Sequence, residues 1–124
     1  MRITSLRLAL AGLALAALGL APAHAQKKYD PGADDKEIKI GAIHPYSGPA
    51  SAYGTIGKSI GAYFEKINAE GGVNGRKLKL IVEDSQYDPK KAVLASQKLV
   101  EKDKIFAMLA PMGSPTVLAA QDIL

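Results

Sequence analysis

Three apolar runs, each too short for a helix, alternate with longer stretches whose apolar side chains recur at helical spacing, and this alternation leaves few folds open. Ile38-Lys39-Ile40-Gly41-Ala42-Ile43 is a β-branched run that stops at Pro45, so it predicts a strand. After the turn-rich Ser47-Gly48-Pro49, Ile56, Ile60, Tyr63, Phe64 and Ile67 fall on one face of a helix over 52–69. That helix closes at Gly71-Gly72, where a left-handed residue costs least. Val73-Asn74-Gly75-Arg76 then turns the chain into a second strand, Lys77 to Val82. Asp88-Pro89 is a helix start, because Asp accepts bonds from free first-turn N–H groups and Pro fits the first helical position. The helix is expected to run to about Lys102, with Ala92, Ala95, Leu99 and Val100 inward and Lys90, Lys91, Lys98 and Lys102 in solvent. Ile105 to Ala110 is unbroken apolar sequence, as expected of a parallel strand covered on both faces. Gly113-Ser114-Pro115 opens a last helix over 116–124 whose pattern still runs at Leu124, which implies a truncated domain.

Strand and helix in strict alternation predict an α/β fold: a parallel sheet with helices on both faces and right-handed crossovers. In such sheets ligands bind beyond the carboxyl ends of the strands. Three loops are therefore the candidate site: 44–53, 83–88 and 111–116.

The N-terminus reads as a separate segment. Arg2 and Arg7 precede thirteen residues, Leu8 to Leu20, without a polar side chain, and Ala23-His24-Ala25 supplies a small-residue cleavage site. As a helix the run spans only about 20 Å, short of the ~30 Å hydrocarbon core, so the expectation is a secretory signal cleaved after Ala25 rather than a membrane anchor. Residues 26–36 form a polar N-terminal arm, and 37–124 form the organised domain. An exported, periplasmic product follows.

Composition removes several functions. Setting aside Arg2 and Arg7 leaves fourteen basic against twelve acidic residues, too balanced for a nucleic-acid footprint. The absence of cysteine excludes thiol catalysis, disulfides and thiolate metal sites. His44 stands alone in the domain, so no histidine metal cluster is expected and no cofactor either. Glu83, Asp84 and Asp88 resemble paired catalytic acids, but strand-end carboxylates usually cap or face solvent. A hydrolase using Ser47 or Ser114 lacks a recognisable base. The glycines at 71, 72 and 75 follow a helix rather than a strand, so they form a turn and not a phosphate loop. What remains is binding: Tyr53 can lay an aromatic ring over the strand ends, and Gly113 with Ser114 sits where a helix opens.

Several motifs carry a resemblance in the same order: Glu37-Ile38-Lys39-Ile40-Gly41, Ser47-Gly48-Pro49-Ala50 with Tyr53-Gly54, Ile67 through Arg76, Glu83-Asp84 with Asp88-Pro89, and Pro111-Met112-Gly113-Ser114-Pro115-Thr116. Together they resemble the periplasmic branched-chain amino acid (Leu/Ile/Val) binding proteins of ABC transporters. The resemblance implies a partial N-terminal lobe of the type I periplasmic binding protein fold, in which two α/β lobes close on a ligand and deliver it to an inner-membrane permease. It implies that Tyr53 flanks the ligand side chain and that Gly113 or Ser114 holds its carboxylate. Ser47 and Met112 complete the expected ligand-binding set. The ligand implied is a branched-chain amino acid or a related amino-acid or carboxylate compound, bound without catalysis and without stable membrane insertion. A receptor of the same fold that reports ligand to a regulatory partner is the alternative.

Overall fold

The computed structural model describes residues 28–124, so the expected signal segment lies outside the described residues. The chain forms β1 (Glu37–His44), a 3-10 turn (Ser51–Tyr53) leading into α1 (Gly54–Ala69), β2 (Lys77–Asp84), α2 (Pro89–Gln97), β3 (Ala107–Met108) and α3 (Ser114–Ala120). The strands are parallel in the order β2-β1-β3, with Glu37 opposite Lys77, His44 opposite Asp84, and Ile40 opposite Ala107. This is the expected fold class.

Strand alternation sorts the helices onto two faces. Gly41 faces Ile105 and Leu99, where a Cβ would come within 2.6 Å of Ile105 Cδ1, and Ile43 packs with Ala95 and Leu99. The intervening residues face the other way, where His44 lies under Gly57 and Leu80 under Gly61 of α1. The core on the α2 side is small: Ile43, Ala95 and Leu99, edged by Ile81, Ile105 and Met108.

The start of α2 matches expectation. Asp88 accepts a hydrogen bond from Lys91 N at 3.0 Å, Pro89 takes the first position, and Ala92, Ala95 and Leu99 are buried. Its end differs, because Lys98–Lys102 widens into a π turn. Lys98, expected to be simply solvated, pairs with Glu83 at 2.5 Å and Asp103 at 2.9 Å.

Three expectations need correction. In α1 the packed face is Gly54, Gly57 and Phe64, while Ile56 is 38% and Tyr63 59% exposed. The cause is close approach: a Cβ on Gly54 would meet the Pro45 carbonyl at 3.1 Å, and one on Gly57 would collide with the Tyr46 hydroxyl. The third strand is two residues long rather than six. Lys104 and Ala110 both adopt positive φ, which interrupts extended backbone on either side, and among the described residues β3 pairs with β1 alone. Phe106 and Leu109 are consequently exposed, not covered on both faces. Finally, the helical stretch of α3 begins at Ser114 and ends at Ala120, short of Leu124.

Two side-chain devices fix the frame. Asn68 donates Nδ2 to the Leu78 carbonyl and accepts from Leu78 N, both at 2.8 Å, docking the end of α1 to β2. The polar arm is ordered against the sheet: Lys39 N donates to Gly32 O at 2.7 Å, Ala33 bridges Ile38, and Gly32 lies against the backbone of 104–106 with no room for a side chain. Among the described residues no helix is long and apolar enough to cross a membrane.

Candidate functional site

The carboxyl ends of the three strands bring the predicted loops together, and one carboxylate ties two of them. Asp84, the last residue of β2, accepts from Tyr46 N at 2.9 Å, Ser47 N at 3.4 Å, Ser47 Oγ at 2.6 Å and Gln86 N at 2.9 Å. Partial desolvation pushes the Asp84 pKa up, but the bonds from the Ser47 hydroxyl and the three N–H groups outweigh it and hold the carboxyl below its ordinary value of 3.8. Gly48, at φ +81°, presses against Gln86, where a Cβ would lie 2.8 Å from the carbonyl oxygen. The first and second loops therefore form one bonded unit. Ser47 is in that unit, but its hydroxyl is committed to Asp84.

The second loop is an unusual turn. Asp88 N donates to Ser85 O at 2.8 Å across Gln86 and Tyr87, whose φ values are +52° and +62°. Two left-handed central residues make it type I′, which ordinarily selects Asn-Gly. Ser85, fully buried, accepts from Tyr87 N at 3.3 Å, and the Lys91 ammonium bonds Gln86 Oε1.

In the third loop Met112 N donates to Ile43 O at 3.0 Å, and Gly113 follows at φ +108°. The buried Thr116 hydroxyl lies 2.7 Å from both the Met112 and Gly113 carbonyls, and Val117 N donates to Gly113 O at 2.9 Å. Gly113 is therefore the residue from which α3 starts, while Ser114 is exposed at its first position. Tyr87 reaches this loop: its ring edge fills the space beside Gly113.

Met112, Gly113 and Ser114 are thus contiguous, and Gly113 meets the second loop through Tyr87. Tyr53, 54% exposed, stands at the start of α1 on the opposite face of the sheet. His44 is buried beneath α1 with its ring edge-on to Tyr46, centroids 6.3 Å apart, so it is not directed at the cleft. Sequence reasoning named Asp84, but as an acid expected to cap or face solvent, and missed its bonds to the first loop; Tyr87 was not singled out, and nothing in Gln86-Tyr87 announces a left-handed turn.

The three loops themselves contain no lysine or arginine, although the Lys91 ammonium reaches the second from α2. Among the described residues no group of His, Asp and Glu is arranged for a metal ion.

Residues 37–124 match the family described as Periplasmic binding protein. The chain is 37% identical over 90 residues to the Leu/Ile/Val-binding protein BraC3 of Rhizobium johnstonii, covering 71% of this chain and 24% of that protein. Its structure is similar to a fatty acid ABC transporter substrate-binding protein from Thermomonospora curvata, with TM-score 0.71 and 34% identity over 77% of this chain and 24% of that one. It is also similar to the branched-chain amino acid transporter substrate-binding protein LivJ from Streptococcus pneumoniae, solved with isoleucine, with TM-score 0.67 and 31% identity over 71% and 26% of the two chains. The chain spans about a quarter of the length of these relatives.

Proposed function

The chain belongs to the periplasmic binding protein family, and from that premise we propose that it is part of the substrate-binding component of an ABC transporter. Its ligand is a branched-chain amino acid or a related carboxylate, captured over the carboxyl ends of β1, β2 and β3. Residues 37–124 supply part of the N-terminal lobe, a second lobe closes over the ligand, and the closed form docks on an inner-membrane permease. No bond is made or broken. The product acts in the periplasm after removal of residues 1–25, and 26–36 remain as an N-terminal arm, of which Gly32 and Ala33 lie against the sheet.

The observation that supports this reading best is that Asp84 bonds the first loop to the second and Tyr87 joins the second to the third, so the loops that carry Tyr53, Met112, Gly113 and Ser114 are linked, with no basic side chain within them. Neutral donors suit a small carboxylate, whose charge backbone N–H groups and hydroxyls can meet. Tyr53 takes the role of the aromatic that flanks the ligand side chain. Gly113 or Ser114 contacts the carboxylate, with Met112 beside them and Ser47 shaping the adjoining loop.

Calorimetry on the full gene product tests this, using L-valine, L-leucine, L-phenylalanine, benzoate and octanoate. Saturable binding of an amino acid, weakened by Tyr53→Ala, is expected. Heat with none of the five overturns the ligand assignment.

A further inference from the structure

We propose that Tyr87 is a specificity-determining residue: its ring is the wall that limits how far a ligand can extend toward the third loop, so the site takes a compact carboxylate rather than a bulky one. The proposal rests on the ligand-capture reading above.

The first support is the backbone. Gln86 and Tyr87 hold φ of +52° and +62°, a conformation natural to Asn-Gly and unfavourable for two residues with longer side chains. Such a turn persists only when its surroundings over-determine it, and here they do. Asp84 accepts from Gln86 N, Ser85 Oγ from Tyr87 N, Lys91 bonds the Gln86 side chain, and Gly48 leaves room for the Gln86 carbonyl.

The second support is what that turn presents. β2 and β3 lie on either side of β1, so the second and third loops flank the first. Tyr87 spans that distance and meets Gly113. A Cβ on Gly113 would sit 2.6 Å from Tyr87 Cε2, 3.2 Å from Cδ2 and 2.8 Å from Thr116 Oγ1. The ring thus occupies the volume a side chain at 113 would use, and where that side chain would stand the lobe offers aromatic surface and bare backbone.

The third support is position. Tyr87 is half-buried, so the rest of the chain does not wholly cover it. It stands on the α2–α3 face, whereas the exposed Tyr53 stands on the α1 face. The two tyrosines thus precede helices on opposite faces of the sheet, Tyr53 ahead of α1 and Tyr87 ahead of α2, and in this proposal Tyr87 sets the limit on the α2–α3 side.

Calorimetry on the full gene product with L-valine and L-phenylalanine tests the assignment. Tyr87→Ala is expected to shift the ratio of the two dissociation constants toward phenylalanine by about tenfold or more, the discrimination a pocket wall ordinarily supplies. Tyr87→Phe, which restores the ring, restores the wild-type ratio. A second measurement reads the contact itself: Gly113→Ala should lower the unfolding midpoint less in the Tyr87→Ala background than in the wild type. Wild-type binding with an unchanged ratio in Tyr87→Ala overturns the proposal alone, as do strictly additive effects of the two substitutions on the midpoint. A wild-type protein that binds neither amino acid overturns this proposal, and one that binds none of the five compounds above overturns the ligand reading with it.

Discussion

His44 is fully buried between β1 and α1, and among the described residues neither ring nitrogen has a hydrogen-bond partner. Burial holds its pKa below the ordinary 6.5, because the charged ring cannot be solvated there. The unfolded chain therefore takes up the proton first as pH falls. The stability His44 confers is fully present above about pH 6.5 and declines below it, with a limiting slope of ~1.4 kcal/mol per pH unit. Urea unfolding of the wild type between about pH 7.5 and pH 5 should show this slope, and His44→Leu should flatten it; an unchanged slope in the variant would assign the effect to another group. Asp84 makes a different kind of prediction. Asn at this position keeps one acceptor oxygen, so Asp84→Asn should release part of the first loop, speed hydrogen exchange at the Tyr46 and Ser47 amides, and weaken ligand binding roughly tenfold. That figure takes the charged bonds at about 1 kcal/mol or slightly more after solvent screening. The role of Asp84 was only half legible in sequence. A carboxylate at a strand end announces itself, but its partners, Tyr46, Ser47 and Gln86, are set by the parallel register that places Asp84 opposite His44.

The second loop is where element-level strain can be measured. Gln86→Asn keeps the polar side chain and suits φ +52° better, so thermal unfolding should show stabilisation of about 0.5 kcal/mol, the order expected for relieving part of a left-handed penalty. Because Tyr87 stays in place, the ranking of ligands should not change. β1, β2 and the start of α2 were readable because local chemistry decides them: β-branched runs make strands, and Asp88-Pro89 starts a helix under its own hydrogen bonds. The face of α1 was not. Periodicity ranks Ile56 and Tyr63 by their apolarity and gives Gly54 and Gly57 no weight, yet those glycines let the helix approach Pro45 and Tyr46 closely. β3 was misjudged for a related reason. Its apolar run looks like a buried strand, but left-handed backbone at Lys104 and Ala110 ends the pairing after two residues, and no propensity scale anticipates Lys or Ala in that conformation. The strand-end rule singled out Tyr53 and the third loop, and the resemblance to binding proteins gave them roles, whereas Tyr87, though inside the second loop, was marked by neither.

At the scale of the whole molecule the chain joins a thin core to an open sheet. Leu99 is the largest apolar side chain that is fully buried, and it packs against Ile43 and Ala95. Leu99→Ala should cost about 2–5 kcal/mol. A domain of this size commonly has ~5–15 kcal/mol in total, so the variant should lose much of its cooperative thermal transition. The surface has the opposite problem. β3 pairs with β1 on one side only among the described residues, Phe106 and Leu109 are exposed beside that free edge, and Leu118 of α3 is 65% exposed. Unpaired strand N–H and C=O groups flanked by apolar side chains are a template for another chain. The 124-residue chain alone should therefore self-associate as its concentration rises, and Phe106→Lys should shift it toward the monomer by placing a charge on the edge without entering the core. Sedimentation velocity over a hundredfold concentration range reads both. Monomeric behaviour throughout would mean that the positive-φ residues Lys104 and Ala110, by bending the backbone out of register at either end of β3, already keep a second strand from pairing there. In that case replacing Lys104 or Ala110 by Gly should leave the chain monomeric, because glycine keeps the bend, whereas Val, which favours extended backbone, should lengthen the edge and restore association.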